Sequence, residues 1–109
     1  MKVHVTDVAE RQITETSEYI ERVWGRVSKM QFRKRLRHVI TLLRRNPNLG
    51  TKEPLLAQYT ILYRSIVATS QNKIIYVVSD ERIDIVAFWD VRREPTTLVD
   101  EVMKETGND

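Results

Sequence analysis

A chain of 109 residues, 41% hydrophobic and 30% charged, has ordinary globular proportions and room for one core, not two. It has no cysteine for a disulfide or thiolate metal site and no run near the roughly 20 apolar residues of a membrane helix, so a cytoplasmic protein without membrane contact is expected. The net +3 is uneven: residues 1–50 hold 11 Lys/Arg against 5 Asp/Glu and residues 51–109 hold 7 against 10, which points to a polyanionic or acidic partner for one face.

Met1 to Val5 alternates weakly and predicts a short first strand. Thr6 or Asp7 then offers a helix cap, with Glu10 three residues after Asp7 in the manner of a capping box. Ile13, Thr16, Ile20, Val23 and Trp24 recur at steps of three and four, the stripe of an amphipathic helix that Gly25 is suited to close. Ser28 with Gln31 suggests a second cap. Phe32, Leu36, Val39, Ile40 and Leu43 supply the second stripe, and Arg44, Arg45 and Asn46-Pro47 end the helix. A link this short sets the two helices antiparallel.

Residues 46–60 carry two prolines and a glycine and read as a loop. Three β-rich runs follow, Ile61–Thr69, Lys73–Ser79 and Arg82–Trp89, joined by short polar connections as an antiparallel meander. Thr97 to Lys104 reads as a short helix, with Thr97 and Asp100 as its capping pair, or as a tail within 96–109. The order β-α-α-β-β-β predicts a single α+β domain over 1–109, a helical hairpin on one face of a mainly antiparallel four-stranded sheet. A two-residue turn at Asp80-Glu81 groups Ile74, Tyr76 and Val78 with Ile83, Ile85, Ala87 and Trp89 on an apolar, helix-covered face. The opposite face, with Lys73, Ile75, Val77, Arg82, Asp84, Val86, Phe88 and Asp90, is mixed and is expected to stay open for a ligand or partner. A two-residue turn at Ser70–Asn72 adds Arg64 to it. Tyr19, Trp24, Phe32 and Trp89 are expected to pack in the core.

Three stretches carry a resemblance: Tyr63-Arg64-Ser65-Ile66-Val67, then Lys73-Ile74-Ile75-Tyr76-Val77-Val78, then Ile83-Asp84-Ile85-Val86 leading to Arg92-Arg93-Glu94-Pro95. Their order, a Tyr-Arg strand, a basic-Ile-Ile-Tyr strand and an Arg-Arg-acidic corner, is similar to the signature of the RelE/ParE superfamily of type II toxin–antitoxin toxins. The resemblance spans about residues 1–95. It implies a growth-inhibiting toxin held by a cognate antitoxin and associated with plasmid stabilization. The superfamily holds two activities: metal-independent cleavage of mRNA at the ribosome, and non-enzymatic poisoning of DNA gyrase. RNA cleavage is the first expectation and gyrase inhibition the alternative. A non-toxic, antitoxin-binding module is a third.

On the ribonuclease reading, the resemblance makes Arg64, Lys73 and Arg93 the catalytic cations. Attack by a ribose 2′-hydroxyl gathers negative charge on phosphoryl oxygens, which preorganised cations stabilise. Lysine at 73 replaces the arginine usual there, a point charge in place of a two-pronged grip. The tyrosine that such nucleases carry a few residues beyond the Arg-Arg-acidic corner is missing: Leu98 and Val99 stand there, and no tyrosine follows Tyr76. A general base would then come from Asp90, Glu94 or Tyr63, a departure that favours the gyrase-directed reading. Between Arg26 and Arg45 stand eight Lys/Arg and no acid. Of these, Lys29, Arg33, Lys34 and Arg37, with Arg92 beyond, are the expected nucleic-acid contacts. His4 and His38 are isolated, and neither metal ligands nor a cofactor loop are spaced for binding.

Overall fold

The computed structural model describes residues 1–106. Five strands form one sheet in the order β1-β5-β4-β3-β2: β1 Lys2–Val5, β2 Thr51–Lys52, β3 Tyr63–Val67, β4 Asn72–Val78 and β5 Arg82–Asp90. β1 runs parallel to β5, with Val3 opposite Ile83 and Val5 opposite Ile85, and every other pairing is antiparallel. The fold class is the one expected, with one strand more: Thr51 and Lys52, inside the stretch read as loop, pair with Ser65 and Arg64.

Helix α1, Asp7–Trp24, is capped by Thr6, whose hydroxyl oxygen accepts from the Ala9 N–H at 3.3 Å. Asp7 and Glu10 place negative charge in its first turn. Gly25 ends α1 at φ 95° and also starts α2, Arg26–Arg45. The left-handed backbone there lets two helices meet with no linker. Ser28 is therefore not a cap. It lies inside α2 and its hydroxyl donates to the Trp24 carbonyl.

The hairpin covers one sheet face. Ala9 of α1 and Phe32, Leu36, Val39 and Leu43 of α2 pack on Ile74, Tyr76, Ile83, Ile85 and Phe88. Phe88 in place of Ala87 and Trp89 is a correction with a plain cause. The Asp80-Glu81 turn does set Val78 opposite Ile83 and Tyr76 opposite Ile85, but the register slips at Val86, so that Ile75 faces Ala87 and Ile74 faces Phe88. One inserted residue exchanges the two faces of everything beyond it. The expected core places of Tyr19 and Trp24 are also corrected: they are 52% and 69% exposed.

The second face is not open. Ala87 and Trp89 turn onto it and join Tyr63, Ile75, Val86 and Leu56 under a third helix, α3, Pro95–Thr106, whose Leu98 and Val102 are fully buried. The segment read as helix or tail is thus a docked helix through Thr106, and residues 107–109 lie outside the described residues. It begins at Pro95, a first helical position where a missing N–H costs nothing, rather than at a Thr97 cap. Gln12 links the layers. Its side-chain carbonyl accepts from the Phe88 N–H at 2.8 Å, on the edge of β5 that β1 no longer covers, and its amide donates to Glu101 of α3.

Candidate functional site

Of the three cations expected to converge, Arg64 lies on the sheet face opposite to Lys73. Arg64 pairs with Tyr76, a residue of the hairpin-side core, because five residues lie between the paired Val67 and Lys73 where a two-residue turn was expected. Arg64 therefore faces the hairpin side. Its guanidinium donates to the Gly50 carbonyl at 2.8 Å. The Gly50 N–H in turn donates to the Tyr76 hydroxyl at 2.8 Å, and that hydroxyl donates to the Pro47 carbonyl at 2.8 Å. Burial pushes the Tyr76 hydroxyl's pKa up, with the Gly50 N–H and the Arg64 charge opposing. The four residues pin the chain leaving α2 against the sheet. The corner admits no side chain at 50, since a Cβ there would lie 2.6 Å from the Ser65 carbonyl oxygen.

Lys73 faces the other way, opposite Trp89. Its ammonium lies 2.5 Å from a carboxylate oxygen of Glu53, which is fully buried, so its charge is spent inside the protein. Glu53 also accepts from the Leu55 N–H at 2.9 Å, capping the 3₁₀ turn Pro54–Leu56. Burial raises its pKa, but the Lys73 contact and the Leu55 and Ser65 hydrogen bonds outweigh that and hold the carboxyl below its ordinary value. Glu53 was not among the residues expected to matter. An acid beside a proline in a loop gives no signal of burial.

Arg93 sits at the end of β5 with its guanidinium 4.7 Å from the Trp89 ring centroid and 3.6 Å from a Glu101 carboxylate oxygen. Arg92 grips Asp90 with two hydrogen bonds, of 2.9 and 2.7 Å, which hold the Asp90 carboxyl below its ordinary range. Of the three residues considered as a general base, Tyr63 is buried and Asp90 is occupied by Arg92, while Glu94 is exposed.

Arg92 and Arg93 do line a groove of about 820 Å³, whose walls include neither Arg64 nor Lys73. Its walls are Tyr19 and Trp24 of α1, Phe32 and Phe88 at its floor, and the turn between β3 and β4. Exposed aromatics and cations together make it amphipathic. On α2, Lys29 is paired with Glu21 at 3.1 Å, and Arg35 is tied to the Ala68 carbonyl. Arg33, Lys34 and Arg37 are exposed, with no carboxylate within 4 Å among the described residues. No group of three His, Asp or Glu side chains among the described residues is gathered closely enough to hold a metal ion, and no helix among them is long and apolar enough to cross a membrane.

A helical hairpin on one face of a mainly antiparallel sheet, with a third helix on the other, is a small α+β fold. The chain belongs to the ParE toxins of type II toxin–antitoxin systems, whose family model matches residues 3–95. It is the toxin half of a pair, and membership implies a cognate antitoxin. Among solved structures it is similar to the chromosomal ParDE system from P. aeruginosa, with a TM-score of 0.68 and 14% identity over 84% of this chain and 96% of that one. It is also similar to the YoeB/ParE toxin from Agrobacterium tumefaciens, with a TM-score of 0.55 and 20% identity over 83% and 98% of the two chains. The YoeB dimer from Staphylococcus aureus gives a TM-score of 0.55 and 20% identity over 81% and 93%. At these identities the likeness is one of fold. No curated protein matches the chain.

Proposed function

We propose that this toxin arrests growth by inhibiting DNA gyrase as a binding protein, rather than by cutting mRNA. The observation that carries the reading is the fate of the three expected catalytic cations: Lys73 is neutralised by buried Glu53, Arg64 is committed to Gly50 on the opposite side of the sheet, and Arg93 stands over Trp89 beside Glu101. Charge stabilisation of a phosphoryl transition state needs donors aimed at one point, and losing one typically costs about 3 kcal/mol of barrier. Here none of the three shares a target. The ParE family match and the missing C-terminal tyrosine support the same choice. The amphipathic groove beside Arg92 and Arg93 is the place we assign to the antitoxin, whose segment would lay an apolar stripe on Tyr19 and Trp24.

The test is induction of the toxin without its antitoxin, together with purified gyrase. Inhibition of supercoiling in vitro, with chromosome breaks and a DNA-damage response in cells, is expected while translation continues. Rapid loss of protein synthesis with cleaved mRNA and unaffected gyrase would restore the ribonuclease reading. In that case Arg64→Ala and Arg93→Ala should each relieve toxicity.

A further inference from the structure

We infer that the outer face of α2 is a binding surface for the phosphate backbone of double-stranded DNA. Arg26, Arg33, Lys34, Arg37, Arg44 and Arg45 are all exposed, and among the described residues none has a carboxylate within 4 Å. The cations that α2 uses internally are others: Lys29 binds Glu21 and Arg35 binds Ala68. The structure therefore separates cations with a structural task from cations without one.

The geometry fits a duplex. At 3.6 residues per turn, Arg26, Arg33, Arg37 and Arg44 fall on one line along the helix, and Lys34 and Arg45 flank it. From Arg26 to Arg44 the line is roughly 27 Å long at 1.5 Å per residue, about eight base pairs of B-DNA at 3.4 Å each. The major groove of B-DNA, about 12 Å wide, admits a helix with a line of cations and two more along one flank, whereas A-form RNA has a deep, narrow major groove that does not. A protein partner is the poorer match. Protein interfaces are built on an apolar centre, and the apolar exposure on this face is confined to Val27 and Met30 in the first turns. With flexible cations and no residue held rigidly for a base edge, recognition would be independent of sequence. DNA binding by this face holds whichever target the toxin attacks.

Fluorescence anisotropy with the purified full chain and a labelled 16-base-pair DNA duplex tests it. If four cations reach phosphates, the logarithm of the binding constant falls against the logarithm of salt with a slope of about −3.6. Scrambling the DNA sequence should leave affinity unchanged. The exposed double variant Arg33→Gln/Arg37→Gln should lower the slope's magnitude by about 1.8 and bind about sixtyfold more weakly at 0.1 M salt, the counterion-release value for two lost contacts. Arg82→Gln, a cation outside α2 paired with Asp84, should bind as the wild type does. Circular dichroism of each variant checks that the fold is kept. An unchanged slope in the double variant, or an RNA duplex of the same length binding as tightly as DNA, would overturn the inference.

Discussion

Lys73 and Glu53 form an ion pair, ammonium to carboxylate at 2.5 Å, that fastens the 3₁₀ turn to the middle of the sheet. Removing one partner of a buried pair is far worse than removing both, because the survivor keeps its desolvation cost. Lys73→Met should therefore lower stability by about 3–5 kcal/mol in urea unfolding, and Glu53→Leu/Lys73→Met should recover most of it. An unchanged urea midpoint in Lys73→Met would show that the pair contributes nothing.

The same carboxyl gives a pH dependence. Its folded pKa lies below the ordinary 4.5, so the unfolded chain takes up the proton first as pH falls. Stability from the pair is present above that value and declines from about pH 5 downwards. Asp90, also lowered through Arg92, declines in the same direction. Comparing urea midpoints of the wild type and Glu53→Gln across this range isolates the Glu53 share, and the wild type should fall more steeply.

At the corner below α2, the Tyr76 hydroxyl accepts from Gly50 and donates to Pro47. Tyr76→Phe leaves both backbone groups without their partner, at about 1–3 kcal/mol each where water cannot enter. Gly50→Ala should be destabilising too, since its methyl would lie 2.6 Å from the Ser65 oxygen and 2.7 Å from the Tyr76 hydroxyl. Calorimetry should show a lower melting temperature for both variants.

Leu98 and Val102 seal the second core over Trp89. Leu98→Ala should cost about 2–5 kcal/mol, as large-to-small changes in packed cores do. In a Trp24→Phe background Trp89 is the sole indole, so loosening of α3 would appear as a red shift of its emission. A blue, unshifted spectrum in Leu98→Ala would mean that α3 does not shield the ring.

Much of the fold was legible because it rests on local periodicity. The stripe Phe32, Leu36, Val39 and Leu43 became the buried face of α2, and the Asp80-Glu81 turn set the register of β4 and β5 as far as Ile85. The two-residue β2 has too few side chains to alternate, so it left no signal. The faces of β3 and of the end of β5, the two strands beside β4, were misassigned for one reason. An inserted Val86 and a longer β3–β4 connection each shift parity by one, which sends Phe88 and Arg64 to the hairpin side and Trp89 to the other.

The order of elements, the two helical stripes, the toxin superfamily and the cationic composition of α2 were determined by the amino-acid sequence alone, since each is written in residues close along the chain. Which sheet face Arg64 and Lys73 occupy, and what each of them binds, was decided only by the tertiary structure. A strand turns successive side chains to opposite faces, so one residue of register in a bulge or a turn separates charges that the linear motif places side by side. The partner of Lys73 lies 20 residues away in a loop, and burial of Glu53 against it could emerge only when α3 and the 3₁₀ turn closed over the second face.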